Sequence, residues 1–165
     1  MHPASLSDDE FQKQCTVQRT RASGPGGQHR NKVETAIVVK HKPTQIVGQA
    51  SEKRSQHANL VAALFRLRIR LAMEVRSTPL PEAPSEVWRS RVKGRRISVS
   101  TSHADFPVVL VDALDQIERC QYEMPKAADA LDVSTSQLLK LLKSDSQVWE
   151  QVQQSRMRLG LKRLK

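Results

Sequence analysis

The spacing of apolar and polar residues divides the chain into a strand-containing first part and a helical second part. Alternating or β-branched positions predict strands over 16–21 and 35–40, and a third strand over 45–50 returns after a turn. Ahead of them, Ser7 can cap a short helix over 6–14. The first part of the chain is therefore predicted to contain a hairpin of short strands.

A long helix is predicted to follow these strands, from a cap at Ser55 to about residue 75. Its apolar residues recur at steps of three and four positions and define one stripe, which consists of Leu60, Leu64, Leu67, Leu71 and Val75. Arg66 and Arg70 lie one turn apart on a flank of that stripe. Such a stripe is typical of a helix that covers an apolar surface.

A proline-rich stretch, 77–84, marks the boundary of the first predicted domain, since three prolines in six residues cannot continue a helix. The pattern predicts no definite structure for 88–100. Four helices are predicted beyond it: from a cap at Asp105 to about 120, over 125–131, from a cap at Ser134, and over 146–159. The apolar face of the first of these comprises Phe106, Val109, Leu110, Ala113, Leu114, Ile117 and Cys120. The predicted organisation is a domain over 1–76, a linker over 77–84, a mainly helical module over 85–155 and a basic tail over 156–165.

The charge of the chain points to a polyanionic partner, nucleic acid above all. The 165 residues include 27 Lys and Arg against 17 Asp and Glu, which gives a net charge of +10. Twelve basic residues against three acidic ones give +9 within 16–76, whereas four against eight give −4 within 101–146. Clustering of this kind marks a surface for a polyanion more often than a face that merely keeps a protein in solution.

Several classes of protein are disfavoured by the same sequence. The longest apolar run is far shorter than the roughly 20 residues that a membrane span needs. The first ten residues contain three acids and no Lys or Arg, unlike a targeting peptide. Cys15 and Cys120 lie too far apart for a metal motif and fit a reducing compartment. We therefore expect a cytoplasmic protein with no membrane, metal or cofactor requirement.

A glycine-rich loop over 23–29 stands out, because three of the six glycines, Gly24, Gly26 and Gly27, fall within four residues. Glycine permits positive φ and lets another molecule approach the backbone closely. The loop matches neither a nucleotide P-loop nor a dinucleotide-binding fingerprint. A Gly-Gly-Gln tripeptide by itself is common by chance.

Two segments around this loop resemble the signature of class I peptide-chain release factors. The first is Arg21-Ala22-Ser23-Gly24-Pro25-Gly26-Gly27-Gln28-His29-Arg30-Asn31-Lys32, and the second is Glu52-Lys53-Arg54-Ser55-Gln56-His57-Ala58-Asn59. They stand at the family's separation, and the likeness covers about residues 11–76. It implies an α+β fold in which a small antiparallel sheet packs on a long helix, and the helical pattern adds a small, mainly helical C-terminal module.

The resemblance implies that Gly26, Gly27 and Gln28 form the catalytic loop that promotes hydrolysis of the peptidyl-tRNA ester. The partners would then be the ribosome, through ribosomal RNA and the CCA end of peptidyl-tRNA. The backbone N–H of Gln28 is suited to stabilise negative charge that develops on the ester oxygen, and its side chain, which has no useful pKa, can position water. The family also implies N5-methylation of Gln28 by a dedicated glutamine methyltransferase.

A set of basic side chains on this part of the chain is predicted to contact RNA: Arg19, Arg21, His29, Arg30, Lys32, Arg54, His57, Arg66 and Arg70. For the arginines and the lysine the alternative is a solvated face. For His29 and His57 a local hydrogen-bonding or RNA-packing role is favoured over proton transfer. Arg30 occupies a position where the family usually has a small apolar residue.

The chain also departs from the codon-specific members of this family. It contains neither of their stop-codon-reading tripeptides, Pro-x-Thr and Ser-Pro-Phe, and it is about half their length. It is therefore similar to the short, codon-independent members that free stalled ribosomes.

Two other functions remain open from the sequence. Residues 125–138 resemble a helix-turn-helix, so the chain could be a DNA-binding regulator that uses 125–145. An ordinary helical hairpin explains this segment as well, and its second helix offers only Lys140 and Lys143 as cations. The third hypothesis is a non-catalytic ribosome- or RNA-binding protein that retains the loop.

Overall fold

The chain folds into two compact units. A computed structural model describes residues 1–20 and 36–165, so the glycine-rich loop lies outside the described residues. The first, the sheet unit, is Pro3–Glu74; the second, the helical unit, is Met1–His2 with Val75–Lys165. Short antiparallel strands and several helices confirm the predicted α+β class. Within the described ranges, no helix has the length and apolar character needed to span a bilayer.

The sheet unit contains one three-stranded antiparallel sheet and one long helix. After a 3-10 turn at Pro3–Ser5, its elements are α1 (Asp8–Lys13), β1 (Cys15–Thr20), β2 (Ala36–His41), β3 (Val47–Ala50) and α2 (Gln56–Glu74). The strand order is β1-β2-β3. The three predicted strands and the long helix are present, and Ser7 caps α1 as predicted, accepting a hydrogen bond from the Glu10 N–H at 3.4 Å.

Helix α2 packs against β2 and β3 with a face that differs in part from the predicted stripe. Its buried residues are Asn59, Ala63, Leu67, Leu71 and Ala72. The predicted stripe was wrong for Leu60 and Leu64, which are only partly buried. Small residues at the sheet interface, Gly48 and Ala63, let the helix approach the sheet closely. The two leucines lie outside this closest contact.

Gly48 sets the distance between the sheet and the helix. An added Cβ at this position would lie 2.4 Å from the carbonyl oxygen of Ala63 and 2.7 Å from the backbone nitrogen of Leu67. Both contacts are with helix backbone, which cannot move aside as a flexible side chain can. Any side chain at residue 48 would therefore push β3 off α2.

Gly48→Ala is expected to lower the free energy of unfolding of the sheet unit by about 3 kcal/mol, the upper end of the usual cost of overpacking. Chemical denaturation followed by circular dichroism measures this loss. Gln49→Ala, on the exposed side of the same strand, is the matched control and should change stability by less than about 0.5 kcal/mol. Equal stability of the two variants would contradict the close approach.

Arg68 ties the N-terminal segment to α2. Its guanidinium donates hydrogen bonds to the carbonyl oxygens of Ala4 at 2.7 Å and Leu6 at 2.8 Å, and to the carboxylate of Asp8 at 2.9 Å. It also lies 4.1 Å from the centre of the Phe11 ring. A planar donor fork with a delocalised charge suits this combination, which a lysine could not reproduce.

His41 is a buried histidine at the end of β2, 1% exposed. Its Nδ1 lies 2.8 Å from the Thr44 hydroxyl and its Nε2 lies 3.0 Å from the amide oxygen of Gln14. That oxygen can only accept, so Nε2–H donates to it and Nδ1 accepts from the hydroxyl of Thr44, as in a neutral ring. Burial lowers the pKa of His41 below its ordinary value of 6.5.

Protonation of His41 is expected to destabilise the sheet unit. Because the folded-state pKa is lowered, the unfolded chain binds the proton more readily. The contribution is present above about pH 6.5 and is lost as the pH falls through the folded-state pKa. Wild type should therefore lose more unfolding free energy than His41→Gln between about pH 7.5 and about pH 5.

Urea denaturation at the two pH values checks this difference. The exposed His57 provides the matched control, and His57→Gln should leave the unfolding free energy at about pH 7.5 within about 0.5 kcal/mol of wild type. Parallel losses in wild type and His41→Gln would show that His41 does not carry the effect.

The helical unit contains the proline-rich stretch and then five helices, with a small two-stranded hairpin between the first helix and the second. Its elements are α3 (Glu86–Arg91), β4 (Val92–Lys93), β5 (Arg96–Ile97), α4 (Phe106–Arg119), α5 (Met124–Ala130), α6 (Thr135–Lys143) and α7 (Ser146–Arg158). The region 88–100, for which the pattern predicted no structure, is thus the end of a helix and a two-stranded hairpin. Ser134 caps α6 as predicted, accepting from the Gln137 N–H at 3.3 Å.

Helix α4 is buried from Phe106 to Ile117 on almost every side. Its polar residues are buried because the stretch 77–85 packs along them: Asp112 accepts from the Ser85 N–H at 2.9 Å, Asp115 from the Ser77 N–H at 3.2 Å, and Gln116 donates to the Pro81 carbonyl at 2.8 Å. The predicted linker is therefore a bonded part of this unit.

Asp105 is the N-cap residue of α4 as predicted, but its side chain makes no capping hydrogen bond to that helix. Its carboxylate instead pairs with the guanidinium of Arg91 at 2.5 Å. The ion pair joins the end of α3 to the start of α4.

The last residues of the chain fold back along α7. The Gln153 amide donates to the Leu164 carbonyl and accepts from the Leu164 N–H, both at 2.9 Å. Arg163 pairs with Glu150 at 3.2 Å, and Lys143 donates to the Lys165 carbonyl at 2.9 Å. The segment predicted as a basic tail is thus bonded to α6 and α7.

Candidate functional site

One end of the sheet holds Thr20 and Ala36, which border the segment 21–35, and Ala50, which precedes the second recurrent segment. In the strand register Thr20 lies opposite Ala36, and Ile37 lies opposite Ala50. The last residue of β1, the first of β2 and the last of β3 therefore share one end. Thr20 and Ala36 are the described residues on either side of 21–35, and the turn that leads from β3 into α2 begins at the same end of the sheet.

The turn over 51–55 is fixed by two side chains. Glu52 accepts from the Ser51 N–H at 3.0 Å and from both terminal nitrogens of Arg66, at 2.6 and 3.2 Å. Hydrogen bonding to its own backbone, and then to Arg66, lowers the pKa of the Glu52 carboxyl. Asn59, fully buried, accepts from the Lys53 N–H and donates to the Lys53 carbonyl, both at 2.9 Å.

Arg66 and Arg70 hold the edge strand β3 to α2. Arg66 donates to the Gln49 carbonyl at 2.8 Å, and Arg70 donates to the Val47 carbonyl at 2.7 Å. Arg70 also pairs with Glu74 at 2.8 Å. Both side chains are about half exposed, 49% and 48%. They are therefore not freely solvated cations, and an RNA contact would add to an existing structural role.

The other exposed side chains predicted to contact RNA at this end of the sheet are differently placed. Arg19 precedes the last residue of β1, Arg54 lies in the turn, and His57 lies in the first turn of α2. All three are exposed, and Ser55 accepts from the Ala58 N–H at 3.3 Å at the start of α2. The positive end of the helix dipole adds to this charge. The sheet end is thus suited to hold a polyanion.

The other predicted site residues lie in 21–35, outside the described residues: Arg21, Gly26, Gly27, Gln28, His29, Arg30 and Lys32. Their catalytic and RNA-binding roles stay predictions. Across the described ranges, no group of His, Cys, Asp and Glu is arranged to hold a metal ion.

Asn59 and Glu52 are the residues that sequence reasoning missed. Asn59 occupies the position four residues before Ala63 on the buried face of α2, where a polar residue needs a specific partner. That spacing was the available signal. Glu52 is an acid within a strongly basic segment, and its pairing with Arg66 required the tertiary structure.

Comparison with known proteins identifies the family. The model of the RF-1 domain matches residues 9–104, more than half of the chain. The chain belongs to the class I peptide-chain release factor family. The family predicted from the two recurrent segments is confirmed.

The similar proteins include bacterial peptide chain release factors 1 and 2. The chain is 39% identical to peptide chain release factor 2 of Neisseria meningitidis over 100 residues, which cover 56% of this chain and 25% of that protein. It is 44% identical to peptide chain release factor 1 of Delftia acidovorans over 77 residues, or 47% of this chain and 19% of that protein. The chain therefore spans about a quarter or less of the relatives it matches.

Asn59→Ala is expected to loosen the turn over 51–55, because the Lys53 N–H and carbonyl both lose their partner. The expected cost is about 1–3 kcal/mol of unfolding free energy, with faster hydrogen exchange at the Lys53 amide. Val61→Ala, at an exposed position of the same helix, is the control and should leave both unchanged. Unaltered exchange at Lys53 in Asn59→Ala would refute the bridging role.

Proposed function

We propose that this chain promotes hydrolysis of the peptidyl-tRNA ester on the ribosome, independently of the codon, and so releases peptides from stalled ribosomes. The observation that carries the proposal is membership of the release factor family over a segment that includes Gly26-Gly27-Gln28. The partners are ribosomal RNA and the CCA end of peptidyl-tRNA, and the place of action is the cytoplasm.

In the proposed reaction, water attacks the ester carbonyl and negative charge develops on the carbonyl oxygen. The N–H of Gln28 donates to that oxygen, and a fixed donor in a site that excludes bulk water is a strong stabiliser of such charge. The Gln28 side chain positions the water without acting as a base. Gly26 and Gly27 allow the backbone to approach the tRNA end and to adopt conformations closed to other residues.

The geometry of the sheet unit supports this role for the loop. Paired residues Thr20 and Ala36 hold the two ends of the segment together. The close seat of β3 on α2 and the bonded turn over 51–55 make the supporting end rigid, as positioning of a reacting group requires. Arg19, Arg54 and His57 offer exposed donors for nearby RNA phosphates.

The sequence of the chain supports codon independence. Neither Pro-x-Thr nor Ser-Pro-Phe occurs in the 165 residues. The region after the sheet unit folds as a bonded helical unit. N5-methylation of Gln28 by a glutamine methyltransferase belongs to the same proposal, and mass spectrometry of the native protein would detect it.

Gly27→Ala is expected to slow peptide release by about 10²–10³-fold, because a Cβ at residue 27 would displace the Gln28 N–H from the developing oxyanion, which amounts to losing one such donor. Gln28→Ala keeps that N–H and is expected to slow release because the side chain that positions the water is lost. The measurement is release of labelled peptide from ribosomes stalled on truncated mRNA. Gln49→Ala, exposed on β3, is the control and should release peptide at the wild-type rate.

Three outcomes of this assay separate the parts of the proposal. No release by wild type, or unchanged release by Gly27→Ala, would refute the hydrolytic function and leave a non-catalytic binding protein. Comparison of ribosomes with a stop codon, a sense codon or no codon in the A site tests codon independence. Release confined to the stop codon would overturn that part alone.

A further inference from the structure

The hairpin of β4 and β5 in the helical unit presents cations that the sheet unit's proposed role does not use. Its residues Lys93, Gly94, Arg95 and Arg96 are all exposed. Lys93 and Arg96 pair directly across the two strands, with a two-residue turn between them. Gly94 and Arg95 have φ of 55° and 60°, as a tight primed turn requires.

Arg95 anchors this hairpin to the turn between α5 and α6. Its guanidinium donates to Asp129 at 2.6 Å and to the Val133 carbonyl at 2.9 Å, and its own carbonyl accepts from the Ser134 N–H at 3.0 Å. A residue other than glycine with φ of 60° carries a backbone cost of about 1–2 kcal/mol. These bonds offset that cost and give the hairpin a fixed position.

The remaining cations of the hairpin have no counter-charge. Three basic residues of this region are paired with acids: Arg89 with Glu86, Arg91 with Asp105 and Arg95 with Asp129. Among the ion pairs and hydrogen bonds found in the described part of the chain, none engages the side chains of Lys93 and Arg96. Like charges directly opposite each other in a hairpin are destabilising. An external polyanion would relieve that repulsion.

The surface continues from the hairpin onto α6. An open groove of about 190 Å³ lies between residues 97–99 and that helix, and it is lined by Ile97, Ser98, Val99, Gln137, Lys140, Leu141 and Ser144. Lys140 is exposed and has no ion pair among the described residues. Lysine, glutamine and two hydroxyl groups beside an apolar floor provide both phosphate donors and groups that hydrogen-bond a sugar or base.

We propose that Lys93 and Arg96, with Lys140 across the groove, form an RNA-binding surface of the helical unit. The two hairpin cations bind backbone phosphates, and the groove receives the adjoining nucleotide. The choice of RNA over DNA rests on the proposed function and on the charge of α5 and α6. Asp129, Asp132 and Asp145 flank a helix whose other cation, Lys143, bonds the Lys165 carbonyl, which disfavours insertion into a DNA groove.

The test is the salt dependence of binding of the full chain to a fluorescein-labelled single-stranded RNA of mixed sequence. Lys93→Gln/Arg96→Gln should weaken binding about tenfold at physiological salt. It should also reduce the slope of log affinity against log salt by about 1.4, since each lost phosphate contact on a single strand contributes about 0.7. Lys13→Gln/Lys162→Gln removes the same charge at exposed positions elsewhere and is the matched control.

The outcomes are distinct. A slope equal to that of wild type in Lys93→Gln/Arg96→Gln, or an equal reduction in the control, would overturn the proposal. Tighter binding to duplex DNA of the same length would overturn the assignment to RNA. The variant should melt at or above the wild-type temperature, since it removes a repulsion. Binding is measured without peptide release, so a catalytically inactive protein would leave this result unaffected.

Discussion

The contact between the backbone of β3 and the backbone of α2 is the constraint on which the sheet unit depends. It exists because residue 48 lacks a side chain, so that the carbonyl of Ala63 and the nitrogen of Leu67 reach the strand. Arg66 and Arg70 then bond the carbonyls of the same strand from the exposed side of the helix. Because β3 is fixed on α2, the strand register also fixes β2 and β1. The positions of Thr20 and Ala36, the described residues on either side of 21–35, follow from that register.

A chain of buried polar contacts has the corresponding role in the helical unit. Asp112 accepts from the backbone and hydroxyl of Ser85, and the Ser85 hydroxyl accepts from the Trp88 N–H at 3.2 Å. The Trp88 indole in turn donates to the Leu131 carbonyl at 2.8 Å. Burial raises the pKa of Asp112, while the bonds from Ser85 oppose that shift. These contacts connect α4 to α3 and to the end of α5, where the hairpin is anchored.

The sequence predicted the elements better than it predicted their surroundings. Caps and periodicity report local structure, so Ser7, Ser134 and the long helix were found from neighbouring residues alone. Burial of Asp112 and Asp115 could not be found that way, because each becomes favourable only through a backbone group distant in sequence. Asp105 shows the same limit, because its carboxylate pairs with Arg91 of α3 and makes no capping hydrogen bond to α4.

The candidate site shows the same difference between what local sequence predicts and what tertiary contacts determine. The residues proposed for the catalytic loop were predicted from the motif they form, whereas the turn over 51–55 depends on Glu52 and Asn59.

The distribution of paired and unpaired cations carries more information than the net charge of +10. In the sheet unit Arg66, Arg68 and Arg70 are each bonded to an acid and to backbone carbonyls, so they stabilise the fold. In the helical unit the acids of 101–146 neutralise specific arginines, such as Arg91 and Arg95. Among the described residues, the exposed cations left for an external polyanion include Arg19 and Arg54 at the sheet end and Lys93 and Arg96 on the hairpin. Affinity for RNA should therefore follow these positions and not the total charge, because a guanidinium already bonded within the fold releases few counterions on binding.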